Sequence, residues 1–210
     1  MDTISNYEKM KNIMAESFLH YDQGEMIRKF SLQADPNYLY MTFVNRPYRI
    51  NRQNGCVQWL DDSGTAHEAD YNEAMTIYDV LCNAKADAHL AGNFVNINAL
   101  TGLQTGNLAE NGGFFQQTAN ALQGKTAQLA RACEALSGVK LDHGDVAYQL
   151  ELFPFLPVIL RFWDADDEFP PSLQILADQN TLNYMHYETL MFALGHLFRR
   201  IKEEMPDEKR

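Results

Sequence analysis

The chain has 210 residues, is 46% hydrophobic and contains 12 Phe, 10 Tyr and 2 Trp. It can therefore build a packed core, and a largely disordered protein is excluded. Its formal net charge of −11 opposes binding to nucleic acids and to anionic membrane surfaces, because both attract clustered Lys and Arg. We expect a soluble protein whose partner is an unidentified small ligand or another protein, neither nucleic acid nor membrane.

Localisation is inferred from what the sequence lacks. Its first residues show neither the basic region nor the apolar region of a secretory signal. No apolar run reaches the roughly 18 residues that a membrane-spanning helix needs. The cysteines Cys56, Cys82 and Cys133 are odd in number and far apart, which fits reduced thiols better than a disulfide framework. These observations predict a cytoplasmic protein.

Residues 1–36 are predicted to form N-terminal helices. Ser5 and Glu8 stand at capping-box spacing, and apolar residues then recur at helical intervals as far as Phe18. Gly24 interrupts this pattern. A second, short helix is expected to end before Pro36, because the residue that precedes a proline disfavours the α region.

A β-meander is predicted over residues 38–60, where aromatic and β-branched residues are frequent. The three expected strands are at 38–44, 48–51 and 56–60. Asn45-Arg46 is expected to form the first turn. Asn54-Gly55 is the strongest hairpin signal in the chain, because both central positions of a type I′ turn need positive φ.

The middle of the chain is predicted to contain two helices and one long loop. The first helix follows Asp70, which has capping-box spacing to Glu73. The stretch 91–113 contains five glycines and few charges, so we expect a surface loop, and it lacks the phosphate-binding glycine motifs. The second helix is predicted over 118–136, with a kink at Gly124.

The C-terminal part is predicted to contain three strands and a final helix, at 146–152, 158–163, 173–177 and 186–203. Residues 158–163 are the most apolar and are expected to form the central strand. The whole pattern predicts the α+β class, with helices packed against a mostly antiparallel sheet. We expect a single domain over 1–210, with a core over 37–202 and a frayed charged tail over 203–210.

Four carboxylates directly follow the central strand, and we name this segment the acidic turn: Asp164, Asp166, Asp167 and Glu168. Like charges this close repel one another, and a divalent cation such as Mg²⁺ or Mn²⁺ would relieve that repulsion. Asp178 and Glu188 are candidates for further metal ligands. The alternative is a solvated turn whose carboxylates cap backbone N–H groups and protect a strand edge.

Arg161 lies within the apolar central strand, on the same face as Trp163. A charge in that position needs a partner. The partner is either an anionic group of a ligand or an acidic residue on the preceding strand, such as Glu151. Arg161, Trp163 and the acidic turn are therefore our candidates to line a ligand-binding cleft.

One segment carries a resemblance to a known family. Leu156-Pro157 through Phe162-Trp163-Asp164, followed by Asp167-Glu168-Phe169-Pro170, resembles the most specific part of an uncharacterised prokaryotic family, the domain of unknown function 3786. The resemblance covers residues 38–201, and Ala177 stands where the family usually has Phe. It implies a bacterial cytoplasmic domain and points to the acidic turn, but it implies no reaction.

Three functions remain open at this stage. No zinc-ligand spacing and no nucleophile motif is found in the sequence, so our leading hypothesis is a non-enzymatic ligand-binding or protein-interaction domain. The second hypothesis is a metal-dependent enzyme acting on a small anionic substrate, in which the acidic turn holds the ion and Arg161 holds the substrate. The third is a purely structural role for the acidic turn.

Overall fold

A computed structural model describes residues 5–101 and 109–205, and it describes side chains for all of these except 109–112. Within these residues, six α-helices accompany ten strands that form two five-stranded antiparallel sheets. The predicted α+β class is confirmed. No helix in the described ranges combines the length and the apolar character needed to cross a membrane.

The elements are numbered in chain order. The helices are α1 (Asn6–Phe18), α2 (Gln23–Phe30), α3 (Tyr71–Asn83), α4 (Ala109–Leu122), α5 (Thr126–Ala135) and α6 (Tyr187–Glu204). The strands of the first sheet are β1 (Gln33–Ala34), β2 (Tyr38–Phe43), β3 (Arg46–Asn51), β4 (Val57–Leu60) and β5 (Ala66–Glu68). Those of the second are β6 (Phe94–Asn96), β7 (Val139–Lys140), β8 (Val146–Phe153), β9 (Leu156–Trp163) and β10 (Ser172–Asp178).

The chain divides into two compact units. Unit 1 contains Met1–His89, Phe153–Phe155 and Leu182–His196. Unit 2 contains Leu90–Leu152, Leu156–Thr181 and Leu197–Arg210. The expectation that the chain folds as one domain stays a prediction.

Local capping signals account for helix starts in unit 1. Ser5 Oγ accepts a hydrogen bond from Glu8 N at 3.2 Å. Asp70 and Glu73 form a complete capping box, with Glu73 N donating to Asp70 Oδ1 at 2.9 Å and Asp70 N donating to Glu73 Oε2 at 2.8 Å. These bonds satisfy N–H groups that have no partner within the helix, so α1 and α3 begin at the residues that the sequence indicates.

The first turn of the meander lies one residue earlier than predicted. Val44 and Asn45 separate β2 from β3 and have φ values of 46° and 53°, as a type I′ turn requires. Positive φ is unfavourable for a β-branched residue. The Val44 side chain is only 2% exposed, and its burial offsets that cost.

The predicted type I′ turn at Asn54-Gly55 is wrong. Gly55 has a φ of 73°, but Asn54 is not among the described residues with positive φ. The chain between β3 and β4 makes a longer turn, in which Gly55 N donates to Asn51 O at 2.9 Å. Gly55 is needed there because a Cβ atom would lie 2.2 Å from the carbonyl oxygen of Ala15 in α1.

The second sheet places the acidic turn at the end of two of its inner strands. Its strand order is β6-β10-β9-β8-β7, so β9 is central, as predicted. Val158, Leu160 and Phe162 of β9 are completely buried. Trp163 at the end of β9 pairs with Ser172 at the start of β10, so the acidic turn connects these two antiparallel strands.

Two predictions for the middle of the chain need correction. The single helix expected over 118–136 is two helices, α4 and α5, because Gly124 between them has a φ of 73° and ends the first. The stretch 91–113 also contains regular structure, namely β6, a short 3₁₀ helix at Ile97–Ala99 and the start of α4. Residues 102–108 of that stretch, and 206–210 of the expected tail, lie outside the described residues.

Candidate ligand-binding site

Two carboxylates of the acidic turn bind backbone amides. Both carboxylate oxygens of Asp164 accept from Gly124 N at 3.0 Å. Asp166 Oδ1 accepts from Glu168 N at 2.9 Å and from Phe169 N at 2.7 Å. These two backbone bonds hold the pKa of Asp166 below its usual value. Asp164 and Asp166 therefore accept hydrogen bonds from backbone N–H groups, and a purely structural role for the acidic turn stays a prediction.

The remaining carboxylates of the turn border a shallow, open depression of about 660 Å³. It is lined by Asn120 and Gln123 of unit 2 together with residues 165–171. The exposed ring of Phe169 lies among these residues. Arg161, Trp163 and Asp164, which are also described, are not lining residues of this depression. The expected cleft thus brings together Asp166, Asp167 and Glu168, and their binding of a ligand stays a prediction.

Arg161 does not form the ion pair considered for it. Among the described residues no salt bridge joins Arg161 to Glu151 on β8, and the Arg161 Nε atom is buried with no hydrogen-bond partner. Its neighbour on β10 is Gln174. The guanidinium group lies on the face of β9 that also carries Trp163, as the strand alternation indicates.

Asp178, one of the two proposed additional metal ligands, lies away from the acidic turn. Asp178 ends β10, whereas the turn precedes its first residue, Ser172, so the two are separated by roughly 20 Å of strand. The Asp178 carboxylate is buried and accepts from Ala91 N at 2.9 Å and Gly92 N at 2.8 Å. Glu188 belongs to unit 1.

No metal centre is assembled from the side chains in residues 5–101 and 109–205, since none of their His, Cys, Asp and Glu residues form a group of three or more suitable ligands. The described part of the chain therefore lends no support to the hypothesis of a metal-dependent enzyme, which stays untested.

A deeper site that the sequence analysis did not identify lies between helices of unit 2. A groove of about 720 Å³ runs between α4, the start of α5 and the last turns of α6. We name it the helical groove. Its apolar lining residues are Phe114, Ala121, Leu122, Phe198, Ile201 and Met205. Phe114 and Phe198 meet edge to face, with ring centroids 5.8 Å apart.

The charged residues of the helical groove all have the same sign. Lys125, Arg199 and Lys202 line it, and none of its described lining residues is acidic. The carboxylates of Glu203 and Glu204, on the last turn of α6, both pair with Arg200. In a chain with a net charge of −11, this local excess of positive charge attracts anions.

The sequence held only a partial signal for the helical groove. The apolar face of the last helix is wider than the area that one packing partner covers. Such a face is typical of a helix that borders a second surface. The opposing wall comes from α4, some eighty residues earlier in the chain, and no local pattern relates the two. The periodicity of the sequence therefore indicates the α6 wall of the helical groove but not the α4 wall that faces it.

Comparison with known proteins identifies the family. Neither a search of curated proteins nor a search of solved structures gives a match. A family model described as "Domain of unknown function (DUF3786)" matches residues 22–200, which include the acidic turn, all of α4 and most of α6. This match extends the resemblance noted in the sequence toward the N-terminus, to the start of α2. The chain belongs to the DUF3786 family.

Proposed function

We propose that the protein is a non-enzymatic, cytoplasmic ligand-binding domain, and that its helical groove holds a small amphipathic anion. The single observation that carries the proposal is the composition of the groove, whose described lining residues combine a continuous apolar surface with cationic groups and include no carboxylate. An apolar pocket with a few polar groups that fix orientation is the usual form of a small-molecule site. The groove volume of about 720 Å³ lies within the range of such sites.

The two ends of the ligand are assigned from the lining. An alkyl chain would lie against Phe114, Phe198 and Ile201, where each buried methylene group contributes about 0.8 kcal/mol. A carboxylate or phosphate would lie near Lys125 and Lys202. Lys125 Nζ donates one hydrogen bond to Ala121 O at 2.9 Å, which leaves two of its three donors for a ligand.

Decanoate is a suitable probe because it combines a flexible alkyl chain with one carboxylate. Its eight methylene groups would contribute about 6 kcal/mol before ordering costs, so we expect a dissociation constant on the order of 100 μM. Titration calorimetry measures it directly. The uncharged 1-decanol is the matched ligand, since it has the same chain and lacks the anion.

Two variants separate the contributions of shape and charge. Ala121→Trp places a large ring in the groove and should abolish binding of both ligands. Lys125→Gln combined with Lys202→Gln should weaken decanoate roughly fivefold, the sum of two solvent-exposed charge contacts, and leave decanol unchanged. Lys140→Gln, an exposed lysine of β7 outside the groove, is the control. The proposal fails if decanol binds as tightly as decanoate, or if Ala121→Trp binds like the wild type.

A further inference from the structure

Unit 1 contains a cleft of about 580 Å³ with a lining unlike that of the helical groove. It is lined by Tyr7, Asp70, Tyr71, Asn72, Glu188 and Phe192. These residues come from α1, from the start of α3 and from the start of α6. The described part of the lining therefore contributes three aromatic rings, two carboxylates and one amide. We name it the aromatic cleft.

The three rings form a connected series. Tyr7 and Tyr71 have centroids 4.9 Å apart and planes at 65°, and Tyr71 and Phe192 have centroids 6.0 Å apart, also at 65°. Successive ring planes are thus steeply inclined to one another and are not stacked. Tyr7 is 66% exposed, although an aromatic side chain gains most by burial. The face of an aromatic ring carries negative potential and attracts a cation that lies over it.

The charged groups of the aromatic cleft reinforce that preference. Asp70 and Glu188 contribute carboxylates, and none of the cleft's described lining residues is Lys or Arg. Lys11, one turn after Tyr7 on α1, is held by Glu68 at 2.6 Å and by Glu8 at 3.1 Å. Lys11 is therefore already engaged by acidic residues.

Two backbone amides at the helix starts beside the aromatic cleft are bound by carboxylates of the protein. An uncapped helix N-terminus attracts anions. Here the Glu73 N–H group donates to Asp70, and the His186 N–H group donates to Asp79 at 2.7 Å. The protein's own carboxylates thus satisfy these amides, and they leave the cleft with an excess of negative charge.

We propose that the aromatic cleft binds the trimethylammonium group of an organic cation. A quaternary ammonium carries no N–H group and needs no hydrogen-bond acceptor, so ring faces and nearby carboxylates suffice to hold it. The site lies in the other unit from the helical groove and does not depend on the function proposed there. Tyr7 precedes residues 22–200 of the family match, so one wall of the cleft is a feature of this chain outside the matched region.

The probe is choline, titrated into the full chain by calorimetry. Its carbon isostere 3,3-dimethyl-1-butanol has the same shape and no charge, and inorganic phosphate tests the opposite charge. We expect choline to bind in the millimolar range and the isostere to bind at least threefold more weakly. The proposal is overturned if the isostere matches choline, if phosphate binds in its place, or if choline does not bind.

Variants locate the binding within the aromatic cleft. Tyr7→Leu keeps an apolar side chain but removes a ring, and Glu188→Gln removes a charge without changing shape. Each should weaken choline roughly threefold. Glu16→Gln, at an exposed position of α1, is the matched control for charge. Unchanged affinity in both cleft variants would overturn the assignment.

Trimethylammonium groups occur in free solutes and in phosphatidylcholine, and flotation with phosphatidylcholine vesicles distinguishes these sources. If the protein floats with the vesicles and choline abolishes this flotation, the bound group is a lipid headgroup. Binding of choline without flotation assigns it to a soluble cation. Flotation that persists in Tyr7→Leu and is unaffected by choline would overturn the proposal for lipid.

Discussion

Removing the charge of Asp79 should destabilise unit 1 strongly. Asp79 of α3 is only 5% exposed, and its carboxylate accepts four hydrogen bonds. Oδ1 accepts from Asn83 Nδ2 at 2.9 Å and from His186 Nδ1 at 2.7 Å. Oδ2 accepts from His186 N at 2.7 Å and from the Thr189 hydroxyl group. The carboxylate thereby anchors the start of α6 to α3.

The size of the effect follows from this geometry. In Asp79→Asn the charge is lost and one oxygen becomes an NH₂ group, so that two of the four hydrogen bonds must break or reverse their direction. A hydrogen bond to a charged group is worth about 1.5 kcal/mol or more and one to a neutral group about 1 kcal/mol, so the remaining bonds are weakened as well. We therefore expect the free energy of unfolding to fall by roughly 3 kcal/mol at pH 7. With a urea m-value of about 2 kcal/mol per molar, the midpoint should fall by roughly 1.5 M.

The pH dependence supplies an independent check. Burial raises the pKa of Asp79, but the bonds from Thr189, His186 and Asn83 outweigh it, so the pKa lies below the usual 3.8. A carboxyl group with a lowered folded pKa stabilises the protein above its unfolded pKa. That contribution is lost as the pH falls through the folded pKa. The difference between wild type and Asp79→Asn should therefore be constant near neutral pH and shrink below about pH 4.

Urea unfolding followed by circular dichroism at several pH values measures both quantities. Asp62→Asn, at an exposed position between β4 and β5, is the control and should unfold like the wild type. A midpoint for Asp79→Asn within a few tenths molar of the wild type would refute the reasoning. So would a difference that grows as the pH is lowered.

Two further predictions concern a turn and the thiols. Gly55→Ala should lower the free energy of unfolding by more than 2 kcal/mol, because the new methyl group meets backbone atoms of α1. Gly64 has a similar φ of 80° but open space around it, so Gly64→Ala should lower the free energy of unfolding by only about 1 kcal/mol. Denaturant unfolding compares the two, and equal costs would contradict the steric explanation. Of the three thiols, exposed Cys56 should react fast with a disulfide reagent at pH 8. Burial raises the pKa of both Cys82 and Cys133 to about 12, so these two thiols should react slowly until the protein unfolds. Three equally fast thiols in the native protein, counted by absorbance, would contradict this prediction.

Local signals explain why much of the secondary structure was predictable. The Asp70–Glu73 capping box needs only residues three apart, and the structure contains both of its hydrogen bonds. The apolar run 158–163 favours burial by its composition alone, and it forms the central strand of the second sheet. The acidic turn was identified because its charges directly follow that strand.

Local signals failed where a distant segment determines the conformation. Asn54-Gly55 is a strong hairpin signal, yet α1 lies against Gly55 and the chain takes a longer turn. Val44, which no turn preference favours, adopts a left-handed conformation because its side chain is buried. In each case packing outweighs the intrinsic preference of the turn residues.

The sequence by itself determined the α+β class, the family and the approximate position of most elements, because caps, apolar periods and strand composition act between residues near in the chain. Only the tertiary structure decided which distant residues meet. It places His196 3.3 Å from Glu73 in a buried cluster, it forms the helical groove from α4, α5 and α6, and it gathers the three rings of the aromatic cleft. Such sites depend on the path of the whole chain. That path is set by packing between residues that are far apart in the sequence, and short sequence patterns do not reveal it.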